Sequence, residues 1–176
     1  MKTQNLKAQR GLSLIELIVT MAIAAIVLGV GVPTFGNVVA DNSMATNANR
    51  FVSSINLARS SAVRFQRNAV ICASSNYNAT TPTCDTGTDW SAGWIVYVDR
   101  DRDGAVDADE VQSVFEPFDD DVTFASGTVS RFTYDARGFV DNGDTLTLCD
   151  DRTGEMGREV RINGAGRVSV VRQVCG

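Results

Sequence analysis

The 176-residue chain contains no histidine. That absence excludes Ser-His-Asp and Cys-His catalysis, histidine-ligated zinc and a histidine pH switch. Cysteines number four, enough for two disulfides and too few for a knotted scaffold. No Cys-x-x-Cys pair favours zinc or thiol redox chemistry. Basic residues are outnumbered, 16 against 21 acidic ones, and a net charge of −5 does not suggest a general nucleic-acid binder. Internal repeats and low-complexity linkers are missing too. Aspartates and glutamates abound, but nothing marks a pair as buried or as facing a substrate pocket, so an enzyme is not expected. What is there is 44% apolar and 21% charged. That suffices for the core of one small domain with at most an appendage.

The first eleven residues carry Lys2, Lys7 and Arg10, no acidic group and a final Gly11. An almost unbroken apolar run covers residues 12–32 and meets Pro33. At the helical rise it spans roughly 31 Å, the thickness of a bilayer core. Basic residues ahead of it keep the N-terminus cytoplasmic and send the rest outward. A cleaved secretory signal, a plain anchor and a more specialised segment all fit this pattern, and Ala22-Ile23-Ala24 even has the look of a signal cleavage site. Glu16 separates the readings. A carboxylate inside lipid costs several kcal/mol unless partnered, which marks it as functional.

Beyond Pro33 the chain turns polar but keeps helical periodicity. Met44, Ala48, Phe51, Ile55, Ala58, Ala62 and Phe65 form an apolar stripe suited to packing on a sheet. Pro33 and Gly36 permit a kink between the two halves. Strand-like runs follow at 69–72, 94–98, 111–115, 122–124, 131–134, 145–148, 160–162 and 168–171, the last two joined by Asn163-Gly164-Ala165-Gly166. The expected architecture is α+β: one long N-terminal helix, then an antiparallel β domain.

The string Arg10-Gly11-Leu12-Ser13-Leu14-Ile15-Glu16-Leu17 resembles the class III leader of type IV prepilins and type II secretion pseudopilins. The resemblance implies cleavage by a prepilin peptidase between Gly11 and Leu12 and N-methylation of Leu12, where Phe is usual. It also matches Glu16 and Pro33 to the family's assembly glutamate and helix-kinking proline. Glu16 of an incoming subunit would then pair with the ammonium of a neighbour's Leu12 inside the membrane. Ala58-Arg59-Ser60-Ser61-Ala62-Val63, Gly93-Trp94-Ile95-Val96-Tyr97-Val98-Asp99 and Asn163-Gly164-Ala165-Gly166-Arg167-Val168 are similar to the GspH/FimT family of minor subunits.

That similarity implies a pilin-like fold with a two-sheet β domain on the helix. Residues 1–11 would be the leader, 12–32 the transmembrane and assembly helix, 33–67 its amphipathic continuation, and 68–176 the periplasmic domain. The implied role is priming or capping a type IV pilus or a type II secretion pseudopilus. Implied partners are prepilin peptidase, other pilins or pseudopilins and inner-membrane lipid, with no cofactor required.

In the periplasm thiols oxidise. Cys72 and Cys84 enclose a loop rich in Asn, Thr and Ser, while Cys149 ends a strand and Cys175 nearly ends the chain. Of three connectivities, Cys72–Cys84 with Cys149–Cys175 is favoured. In residues 99–110, Asp99, Asp101, Asp103, Asp107 and Glu110 stand at loop positions one, three, five, nine and twelve, with Gly104 at six and the Ala105 carbonyl at seven. That is the EF-hand pattern for Ca²⁺. A strand rather than a helix precedes it, so only the loop matches, and a solvated acidic turn is the alternative.

Charge is uneven. Residues 85–155 carry a net −13, residues 156–176 a net +3 from Arg158, Arg161, Arg167 and Arg172 against Glu159. Some FimT-branch relatives take up DNA through a Gly-Arg-x-Arg strand. Here Gly166-Arg167-Val168-Ser169 keeps only the first arginine. A DNA-binding minor pilin is therefore the alternative function, set against the negative field of the remaining head.

Overall fold

The computed structural model of the protein describes residues 13–119 and 121–176, with residues 30–34 and 155 described by backbone alone. Helix α1 (Leu14–Phe65) is followed by β1 (Asn68–Ala73), β2 (Trp94–Asp99), β3 (Val111–Phe115) and β4 (Thr123–Ser126). Then come β5 (Arg131–Tyr134), β6 (Asp144–Cys149), β7 (Gly154–Ile162) and β8 (Val168–Cys175). The chain divides into two units, Met1–Ala40 and Asp41–Gly176.

Within the first unit α1 carries large apolar side chains that face solvent, from Leu14 (78% exposed) to Phe35 (69%) and Val39 (53%). Among the described residues no helix is long and apolar enough to cross a membrane. Pro33 is a helical backbone position whose side chain lies outside the described residues; α1 is assigned as one helix through it.

The second unit is built on the stripe read from the sequence. Met44, Ala48, Phe51, Ile55, Ala58 and Ala62 are all buried, and Phe65 is packed against the same core. The helix stops at Phe65, two residues before the expected 67. Gln66 adopts φ +53°, and the Arg67 amide donates to the Ala62 carbonyl at 3.3 Å. This is a Schellman closure with glutamine in the left-handed position usually held by glycine.

Two antiparallel sheets share the core, with strand orders β3-β2-β1-β5 and β4-β6-β7-β8. In β1, Ala69, Ile71 and Ala73 face the main core, while Val70 and Cys72 face a second cluster with Ile95 and Tyr97. Burial on both faces explains why β1 and β2 read as continuous apolar runs rather than alternating ones. The second sheet is one-sided: Phe124, Leu146, Leu148, Val160 and Ile162 point inward, and Arg161 and Ser169 are exposed.

Phe51 is the hub. Its ring meets Trp90, Trp94 and Phe124 edge-on, with centroids 5.5, 5.5 and 4.8 Å away. The polar edges are satisfied: Trp94 Nε1 donates to Ser54 Oγ at 2.9 Å and Trp90 Nε1 to the Val129 carbonyl at 3.2 Å. Both disulfides have the favoured connectivity, Cys72–Cys84 and Cys149–Cys175, with Cα separations of 5.5 and 5.9 Å. Closing loops of 12 and 26 residues, they contribute about 3 kcal/mol each by chain entropy.

Candidate functional site

The residues singled out above fall in three places. The first is the start of α1. Gly11 and Leu12, the expected cleavage and methylation positions, lie outside the described residues. Ser13 is the N-cap: its Oγ accepts the Glu16 amide at 3.3 Å, and its carbonyl accepts the Leu17 amide at 3.2 Å. Glu16 therefore stands at the third helical position, where a carboxylate favours the positive helix end. Its side chain is exposed amid exposed apolar neighbours, Ile15, Leu17, Ile18 and Val19. The Ser13 N-cap is visible in the Ser13-x-x-Glu16 spacing, a signal that the reading of Glu16 as a membrane charge overlooked.

The second place is the acidic loop after β2. One oxygen from each of Asp99, Asp101 and Asp103 lies within 4.8 Å of the others. Each of these side chains also accepts a loop amide: Asp99 from Arg102 at 2.7 Å, Asp101 from Asp103 at 3.2 Å, Asp103 from Ala105 at 2.7 Å. Arg102 (φ 71°) and Gly104 (φ 75°) take the left-handed turns that curl the chain. Val106 packs against the cluster of Val70, Cys72, Ile95 and Tyr97 and ties the loop to the sheet. Asp107 and Glu110 stand outside the aspartate trio.

Glu110 is nonetheless buried, 3% exposed, and its Oε1 accepts the Arg100 amide at 2.5 Å. Its Oε2 is buried with no hydrogen-bond partner among the described residues. Burial pushes the neighbouring Tyr97 phenol above its ordinary pKa; Arg131 opposes this, and the charges of Asp99, Glu110 and Asp103 add to it. An open cleft of about 510 Å³ adjoins Asp99, lined also by Arg67, Arg102, Asp135 and Arg137.

The third place is the β7–β8 hairpin, which does not gather its four arginines. Arg158 and Arg172 are partners across the ladder, on the face that carries Val160 and Ile162, whereas Arg161 is opposite Ser169 on the other face. The Arg158 guanidinium donates to the carbonyls of Met156 and Gly157 at 3.0 and 2.9 Å. Arg161 pairs with Glu159. Arg167 is exposed where the turn enters β8, its amide bonded to Asn163 Oδ1 at 3.0 Å. A basic residue missed by the sequence reading, Arg50, lies over Trp94 and Phe118 at 5.0 and 5.5 Å and donates to the Glu116 carbonyl.

Comparison with known proteins fits this arrangement. No curated protein matches the chain. A model of the prokaryotic N-terminal methylation motif matches residues 6–32, and the model of type II transport protein GspH matches residues 47–166. Among solved structures, the type IV minor pilin FimU of Pseudomonas aeruginosa strain PAO1 is similar in two crystal forms. In one, TM-score 0.56 and 22% identity cover 72% of this chain and 91% of that one. In the other, TM-score 0.56 and 21% identity cover 74% and 89%. A long helix whose later turns pack on two antiparallel sheets, preceded by a methylation motif, is thus shared in sequence model and in fold, and the chain belongs to the GspH family of pilin-like proteins.

Proposed function

We propose that this protein is a minor subunit that primes assembly of, or caps, a type IV pilus or a type II secretion pseudopilus. The observation that carries the reading is the first part of α1, where Leu14, Ile15, Met21, Ile26, Val27, Leu28, Phe35 and Val38 are all more than half exposed. A helix apolar around its circumference is stable only when lipid or other helices cover it. The membrane covers it before assembly and neighbouring subunits' helices cover it within the filament, while the disulfide-closed β domain is displayed outside. Gly11 and Leu12 are the processing site, and Glu16 the residue that docks against a neighbour's methylated terminus.

Deleting the gene should abolish or strongly reduce surface filaments or pseudopilus-dependent secretion, with recovery on complementation. Purified filaments should contain the subunit at low copy, at one end by immunogold labelling. Wild-type filament number and secretion in the deletion strain would overturn the proposal.

A further inference from the structure

We propose that loop 99–110 is a calcium site, with Asp99, Asp101, Asp103 and Glu110 as carboxylate ligands and the Ala105 carbonyl as a backbone ligand. Asp107 contributes through water, as position nine of such loops commonly does.

Two independent observations support it. The first is the trio of aspartate oxygens within 4.8 Å of one another. Ligands about 2.4 Å from one Ca²⁺ can stand up to about 4.8 Å apart across it, so one ion can satisfy all three. The second is Glu110, which is not part of that trio. It is 97% removed from solvent and turned back on the loop, since Oε1 takes the amide of Arg100, the loop's second residue.

That leaves Oε2 buried and unpartnered among the described residues. A buried carboxylate oxygen gives up its hydration and here receives no donor in exchange. A divalent cation beside Asp99, itself only 8% exposed, neutralises the crowded charge and gains Glu110 as a ligand once that carboxylate, which stands outside the 4.8 Å trio, turns toward it. Among the described residues, the ion pair within the loop, Arg100 with Asp109 at 3.5 Å, is exposed and outside the ligand set. Hard oxygen donors, a glycine at the turn and a glutamate closing position twelve select Ca²⁺ over Mg²⁺, which keeps its waters and demands an octahedron.

The test uses the full chain in detergent micelles, stripped with EGTA and titrated with CaCl₂, or separately MgCl₂, by calorimetry. Thermal unfolding is followed in parallel. Expected is one saturable Ca²⁺ site of about 10⁻⁴–10⁻³ M, with melting raised by about 3 °C or more at about 10 mM Ca²⁺. The exposed pair Asp101→Asn/Asp103→Asn should lose both effects while melting like wild type in EGTA. Glu110→Gln, which keeps size and the Arg100 contact, should weaken binding at least about tenfold. No saturable heat and no melting shift in folded wild type would overturn the proposal. So would undiminished binding by the double variant, or equal binding of Mg²⁺.

Discussion

Glu16 offers the most direct way to separate local helix chemistry from filament assembly. Its position allows two roles: it follows the Ser13 N-cap at the spacing of a capping box, and it is an exposed charge among apolar side chains. Loss of its favourable interaction with the helix dipole costs about 0.3–1 kcal/mol, too little to unwind a helix of 52 residues. On the proposed docking role, loss of its charge would leave a neighbour's ammonium unpaired inside lipid, at about 2.5–3.5 kcal/mol. At 1.36 kcal/mol per decade this lowers the docking equilibrium by roughly two orders of magnitude.

Glutamine at the third helical position still serves a capping box, so Glu16→Gln removes the charge and keeps the cap. The expected outcome is a processed, membrane-inserted subunit that is nearly absent from sheared filaments. It would be measured by immunoblotting filament and membrane fractions from cells that also express tagged wild-type subunit. Incorporation of Glu16→Gln at the wild-type level, with Glu16→Ala alone defective, would refute the charge-pairing argument and leave only the cap.

Three predictions concern the head. Phe51→Ala should lower stability by about 3–5 kcal/mol, because it empties a space that the three surrounding rings of Trp90, Trp94 and Phe124 cannot collapse to fill; urea unfolding of the full chain in micelles checks it. Gly157→Ala places a Cβ against Cys175 Sγ, 2.9 Å from the Leu148 carbonyl oxygen and 3.2 Å from Cys149 Sγ. The oxidised protein should be destabilised, and the penalty should shrink in a Cys149→Ser/Cys175→Ser background, as a double-mutant cycle would show. Burial pushes the Tyr134 phenol up to about 12, with Arg59 opposing and Asp141 adding. Its folded pKa exceeds the unfolded value of about 10, so the unfolded state loses its proton first and stability falls as pH rises from about 10 to about 12. Tyr134→Phe should flatten that slope in pH-dependent denaturation, and an unchanged slope would count against the assignment.

The elements were legible where local pattern and tertiary environment agree. The stripe from Met44 to Ala62 is buried as its spacing requires, and β3 and β5 occupy the expected residues. Strand β7 was legible only at 160–162. Its first six residues include Gly154, Gly157 and three charged side chains, and they are extended because β8 and a disulfide hold them there. Helix α1 ended early because Gln66 takes a conformation that no propensity assigns to glutamine. The arginines of the last hairpin could be counted but not placed. Which face each occupies depends on register, and the alternation that buries Val160 and Ile162 separates Arg161 from Arg158 and Arg172. The acidic loop was legible as a spacing, but not the burial of Glu110, which depends on its contact with the Arg100 amide.

The Cys149–Cys175 bridge also acts as an inspection gauge for the last sheet. It links β6 to β8, strands separated by β7 in the sheet, and Gly157 lies directly beneath it where the β7 register shifts. A slip of β7 by one residue would bring Met156 or Arg158 under the sulfurs and turn its inward side chains to solvent. The thiols could not then close over the strand. Oxidation therefore seals only the hairpin whose pairing is already correct, and a misregistered subunit keeps two free thiols that mark it as unfinished.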